Sequence, residues 1–210
     1  MSLLTDDELV AVIAEGGLSW PVPLLTVEMS AKGLRHAAQV GLRSLMARDL
    51  VANEHAGLTF APQVVDPIRA IAGASAWQAA YIADLDSPES VAGASTFVFE
   101  TIGRSSFLDL VSAIGVHQFA ESTAPDGSNL LIAQAKNVFD FGIRGADGGS
   151  RLFFGSNRSN VWVAVASQMI QVVHIGGEGD SVRVVETHDE FSETLCREVL
   201  DGTYNSGRPG

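Results

Sequence analysis

The sequence predicts an α+β chain: a helical, winged-helix-like N-terminal region over residues 1–72, then a sheet-containing region over 73–210 that ends in a helix, the two integrated into one domain. Three observations predict it. Helix caps and a 3.6-residue apolar period run through the first 72 residues; from Trp77 onward, β-branched and aromatic runs alternate with Asp, Ser, Pro and Gly punctuation; and a helical apolar face returns between Phe191 and Leu200.

Thr5 with Glu8 forms a capping-box pattern, Asp6 and Asp7 favour a first helical turn, and Gly16-Gly17 supplies a stop, so a helix is expected near residues 5–15. Pro21 and Pro23 force an extended link. Ser30 then caps a long helix from about Ala31 to Arg48, whose core face is expected to be Ala31, Leu34, Ala38, Leu42 and Leu45. The opposite face gathers Lys32, Arg35, His36, Gln39 and Arg43, the one basic stripe in the chain. Arg48 to Val51 and Gly57 to Phe60 read as the helix end and a small hairpin, the sequence logic of a winged helix. The stripe is then either a DNA-reading surface or an ordinary solvated helix face. Val64, Val65, Ile68 and Ile71 belong to a short helix turned inward, and Gly73 to Ser75 marks a boundary.

Strands are expected at Trp77–Leu85, Ser95–Thr101 and Phe107–Ala113, with Ile102 to Ser106 as an exposed turn. In the second, Phe97 and Phe99 alternate with Thr96, Val98 and Glu100, which predicts one buried face. Val116 to Ala120 extends the third strand or forms another. Asp126-Gly127-Ser128 is a turn and helix cap before Leu130 to Phe139, a segment that fits a helix and, in part, a strand. Gly145 to Ser150 is a loop. Val161 to Ile175 is longer than one strand, so a bend or hairpin is placed near Ser167-Gln168. Val182 to Val185 is a last strand, and Thr187 caps the last helix.

Composition narrows the function. A chain of 210 residues with 46% hydrophobic and 18% charged residues buries a globular core and lies far from the disordered profile. Cys196 is the only cysteine, which excludes an intrachain disulfide and a cysteine-rich metal cluster and fits a reducing, cytoplasmic location. The start of the chain lacks the basic-then-apolar pattern of a signal peptide. The uncharged stretch Ser159–Gly177 carries Asn160, Ser167, Gln168, Gln171 and His174 and reads as sheet, so no membrane insertion is expected. The net charge is −12. Residues 1–72 hold 8 acids and 5 bases (−3) and residues 73–210 hold 17 acids and 8 bases (−9), a field that repels phosphate backbones except at a local basic patch.

The motifs of common chemistries are missing. Lys32 and Lys136 are the only lysines and neither sits in a phosphate-binding GxxxxGK[ST] loop; Gly176-Gly177-Glu178-Gly179 is followed by strand residues and reads as a hairpin turn. No GxSxG elbow occurs, and the five histidines, at 36, 55, 117, 174 and 188, lack metal-binding spacing. His188 beside Asp189 and Glu190 reads as a helix start. Cys196 reads as a packing residue, and Asn157-Arg158-Ser159 matches a glycosylation acceptor only in form. No catalytic, cofactor-binding or metal-binding residue is assigned. A convergent acid-base site is the one enzymatic reading this leaves.

The N-terminal half resembles a known family. Leu18-Ser19-Trp20-Pro21-Val22-Pro23-Leu24 is similar to the Pro-containing apolar segment after helix one of the EspG family, chaperones of type VII secretion in actinobacteria. Leu50-Val51, Gly57-Leu58, Pro62, Val65 and Ile68 resemble that family's helix-end, turn and short-helix pattern, and Trp77 with Tyr81 looks like the opening of its first sheet strand. The resemblance covers residues 5–115. It implies a central antiparallel sheet flanked by helices, no cofactor, and a cytosolic chaperone whose partner is a helical secretion substrate with an apolar tip. It also implies partner contacts at a hairpin loop matching Gly103, Arg104, Ser105, Ser106 and Phe107, which by itself also reads as a plain solvent turn. The expected partner is therefore a protein; the second reading is a winged-helix DNA-binding regulator with a C-terminal sensing domain, whose partner is nucleic acid.

Overall fold

The computed structural model describes residues 3–54, 57–88, 91, 93–101, 105–144, 149–176 and 182–205. Along the chain run β1 (Leu3–Thr5), α1 (Asp6–Gly16), α2 (Ala31–Ala47), β2 (Val51–Glu54), β3 (Gly57–Phe60) and α3 (Pro62–Ala72). Four strands follow, β4 (Ala76–Asp84), β5 (Ser95–Glu100), β6 (Ser105–Val111) and β7 (Val116–Thr123), and then α4 (Ala124–Phe141). The pattern of four strands and a helix repeats in β8 (Ser150–Ser156), β9 (Val161–Ala166), β10 (Met169–Ile175), β11 (Val182–His188) and α5 (Glu193–Leu200). Among the described residues this is an α+β fold of five helices, a nine-stranded antiparallel sheet and a two-stranded sheet, with helices flanking the larger sheet.

The chain divides into two compact units, each drawn from two segments: Met1–Ser75 with Phe99–Ser122, and Ala76–Val98 with Thr123–Gly210. In the first, the capping box forms as the sequence predicts. The Thr5 hydroxyl accepts from the Glu8 amide at 3.3 Å, and the Glu8 carboxylate accepts from the Thr5 amide at 3.0 Å. Gly17, at φ 58°, ends α1 in the left-handed region, and the Leu18 amide reaches back to the Ile13 carbonyl. Ser30 caps α2 through the Gly33 amide. The predicted hairpin is β2 paired with β3, and Val64, Ile68 and Ile71 of α3 are buried. Strand β1 pairs antiparallel with β7, setting Leu4 opposite His117.

The second unit carries the strand order β4-β8-β9-β10-β11, of which β8 to β11 form a meander. The β9–β10 hairpin turns at Ser167-Gln168, where the bend was placed, with Ala166 opposite Met169 and Gln168 at φ 55°. Trp77, Tyr81, Phe153 and Trp162 pack as an aromatic cluster with ring centroids 5.7–6.0 Å apart.

Several expectations are corrected. Strand β5 is buried from Ser95 through Phe99, so both its faces are covered. Helix α4 begins six residues before Leu130: Thr123 is the cap, its hydroxyl accepting from the Asp126 amide, and Pro125 stands in the first turn, where its missing N–H costs nothing. Asp126-Gly127-Ser128 lies inside the helix. Strand β8 was not anticipated, because its central Leu152-Phe153-Phe154 is a continuous apolar run without alternation, the pattern of a strand buried on both faces. Thr187 belongs to β11, and Ser192 caps α5 through the Leu195 amide. Of the loop expected at Gly145 to Ser150, residues 145–148 lie outside the described residues and Ser150 already opens β8; of the turn expected at Gly176 to Asp180, residues 177–180 lie outside them.

Candidate binding groove

Two helices of the first unit approach closely enough to exclude a side chain. At Gly41 of α2 a Cβ would strike the Asp7 carbonyl of α1, so the two backbones touch there. The buried face of α2 is accordingly Ala37, Gly41 and Leu45. This corrects the predicted face: Ala31 is exposed, and Leu34, Ala38 and Leu42 are only half-buried. The helix turns its small residues toward α1, and the larger ones swing onto its flank.

That flank lines an apolar groove of about 360 Å³. Val10 and Ile13 of α1 form one wall, Leu34 and Ala38 of α2 the other, and Trp20 and Leu24 of the Pro-containing link close it. Ala14, Met29 and Arg35 stand at the mouth; all three are exposed, Met29 by 66%. Arg35 is the one charged lining residue.

Beneath Trp20 lies a buried polar cluster that no sequence motif announced. His117 of β7 contacts Asp109 of β6 through Nδ1 and Asp6 of α1 through Nε2, each at 2.8 Å. The Asp6 carboxylate also accepts from the Thr26 amide at 2.7 Å and the Thr26 hydroxyl at 2.8 Å, tying the link to the start of α1. Trp20 packs against His117, Phe99 and Phe119 with centroids 6.0–6.3 Å apart. Burial works against a charged His117, but its hydrogen bonds to Asp109 and Asp6 prevail and push its pKa up to about 9. Burial also opposes ionisation of Asp6, yet the bonds from His117 and Thr26 hold its carboxyl below the ordinary value. For Asp109 burial wins, and its pKa is raised. His117 is thus an imidazolium donating both N–H groups.

A second buried acid, also in the first turn of α1, holds that helix against α2. Glu8 accepts from the Ser44 hydroxyl at 2.6 Å and from Arg48 at 2.8 Å, besides its capping role. The two acidic clusters therefore fasten the first turn of α1 to β7, to the Pro-containing link and to the end of α2. With both ring nitrogens engaged by carboxylates, His117 offers no lone pair to a metal or a substrate proton. Among the described residues no group of three or more His, Cys, Asp or Glu side chains is arranged to hold a metal ion.

The residues singled out from sequence fall in different places. Lys32, Arg35, His36, Gln39 and Arg43 do share an exposed face of α2. Gly103 and Arg104 lie outside the described residues; Ser105, Ser106 and Phe107 open β6, Ser106 buried and Phe107 half-buried, so Ser105 and Ser106 belong to the strand and not to the exposed turn, while Phe107 is a strand residue as expected. His188 pairs with Glu186 at 3.3 Å on the surface. Cys196 is fully buried, and burial pushes its thiol up to about 12. In the second unit, a hollow of about 440 Å³ at the end of α4 is lined by Ile82, Val138 and Phe141, the last 79% exposed.

The chain matches no protein-family model and no curated protein. The inward-facing His117 had one legible signal, its place two residues before Phe119 in an alternating strand, where a buried histidine needs an acid.

Proposed function

We propose that this chain is a non-enzymatic, cytosolic protein-binding chaperone or adaptor that shields an apolar helical segment of another protein. The observation that carries the reading is the groove between α1 and α2, apolar along its walls and open at its mouth. A small ligand is normally enclosed over most of its surface; an open trough of this size suits two or three apolar side chains presented by a partner helix. Covering such side chains before export prevents aggregation, and the net charge of −12 keeps the covering protein soluble. The resemblance to EspG chaperones points the same way and makes a type VII secretion substrate the expected cargo.

The reading is tested by co-expressing the protein with candidate substrates encoded beside it and comparing it with Ala14→Trp, which fills the mouth from an exposed helix position. Retention of a helical substrate by the first and its loss with the second supports the proposal. Equal retention by both removes the groove from it.

DNA binding stays as a second reading for one reason: α2 carries the exposed basic stripe and leads directly into the β2–β3 hairpin, as a recognition helix leads into a wing. Its signature is binding to duplex DNA that weakens steeply with salt and vanishes when Lys32, Arg35 and Arg43 are neutralised.

A further inference from the structure

The groove and the basic stripe, read separately in the sequence, are neighbours on one helix. Residues advance about 100° each around α2. Starting from the buried Ala37–Gly41–Leu45 face, the next strip is Leu34 and Ala38, which line the groove; then comes Arg35 at its mouth; then Gln39, Lys32, Arg43 and His36. The α2 rim of the groove is therefore cationic. The α1 wall passes instead from Ala14 to exposed Glu15.

These cations are uncommitted. Lys32, Arg35 and Arg43 form no ion pair among the described residues, and the Arg35 side chain is anchored only through Nε to the Ala31 carbonyl at 3.1 Å. His36 stands near the Asp7 carboxylate. In a chain with 25 acids and 13 bases, three unpaired cations beside an apolar trough are a local reversal of the molecule's field.

We propose that the groove selects an amphipathic helix whose apolar stripe is bordered by acidic side chains on the edge that faces α2. This rests on the reading of the groove as a protein-binding site and adds the chemistry of the partner. Apolar anchors enter between Val10, Ile13, Leu34 and Ala38, and acids at positions three or four residues apart meet Arg35, Lys32 and Arg43. The net charge of −12 works against an acidic helix at long range, so the cations of the rim set orientation and register more than raw affinity.

The test is a display library of amphipathic helices of about five turns, with a fixed Leu/Ile stripe and random flanking positions, selected on the full chain. The expected result is Asp and Glu enriched on one flank only. Selected peptides bind about tenfold more weakly to the Lys32→Glu, Arg35→Glu, Arg43→Glu variant, and Lys-flanked peptides then bind it better than they bind the parent. Flanks without charge preference, with binding still abolished by Ala14→Trp, overturn this inference and leave the protein-binding reading standing. No enrichment over Ala14→Trp overturns both. Displacement of the peptides by duplex DNA at physiological salt assigns the stripe to nucleic acid and also overturns it.

Discussion

Asp6 Oδ1 lies 2.8 Å from His117 Nε2, although the two residues are 111 positions apart in the chain and both are buried. The first residue of α1 is thereby fastened to β7, and through Thr26 to the link that closes the groove. This contact contributes to how stability depends on pH. An unfolded histidine titrates near 6.5, while His117 in the fold keeps its proton up to about 9. Its contribution is therefore complete below about 6.5 and is lost as pH rises through about 9. Asp6, held low, contributes above the ordinary aspartate range and stops contributing as pH falls through its lowered value. Urea unfolding followed from about pH 7 to pH 10 should show a fall of a few kcal/mol, roughly 1.4 for each unit by which the folded pKa exceeds the unfolded one. His117→Gln should be less stable at pH 7 and show little further loss over that window.

Glu8 and Asp140 both take part in ion pairs, with opposite consequences. Glu8 is 1% exposed and serves Thr5, Ser44 and Arg48 together, so Glu8→Ala removes a cap and a junction bond from partly buried donors and should cost about 1–3 kcal/mol. Lys136–Asp140 is a solvated i,i+4 pair, and Asp140→Ala should cost at most about 0.5 kcal/mol. Equal denaturation midpoints for the two variants would refute the assignment of Glu8 to the α1–α2 junction.

Gly41→Ala tests the backbone contact under the groove. The added methyl meets the Asp7 carbonyl with no flexible side chain to yield, so α1 and α2 must separate, at a cost of about 1–3 kcal/mol. Ala38→Gly, on the half-buried flank, should cost about 1 kcal/mol through helix propensity alone. A Gly41→Ala protein as stable as the parent would mean that the helices are not in contact there.

Cys196 is expected to be inert. It is fully buried in α5, with its thiol pushed up to about 12, so a thiol reagent at neutral pH should label it only as fast as the second unit opens. Rapid stoichiometric labelling of the native protein would contradict that placement.

What the sequence revealed depended on how local the determinant was. The Thr5–Glu8 box, the Ser30 cap, the Gly17 stop and the Ser167-Gln168 turn are set by residues within a few positions of each other, and each forms as read. The α2 core face was misjudged because periodicity finds the largest apolar stripe, whereas the tightest contact belongs to the smallest residues, Ala37 and Gly41. Strand β8 and the true start of α4 escape for similar reasons: a doubly buried strand does not alternate, and Asp126-Gly127-Ser128 reads as a turn unless Thr123 is seen as the cap. The Asp6–His117–Asp109 cluster joins three distant segments, and no spacing rule reports such a meeting. The basic stripe was legible, but its position on the rim of a groove was not, since that follows from which face α2 turns toward α1.

The central claim is that the groove of the first unit holds an apolar helical segment of a partner. The chain has three tryptophans, and only Trp20 lines the groove; Trp77 and Trp162 lie in the aromatic cluster of the second unit. The most direct measurement is fluorine NMR of 5-fluorotryptophan-labelled protein, each line assigned by substitution, during titration with a substrate helix. The account predicts a saturable shift of the Trp20 line, unchanged lines for Trp77 and Trp162, and no shift in Ala14→Trp. A helix that binds while the Trp20 line stays still would contradict it.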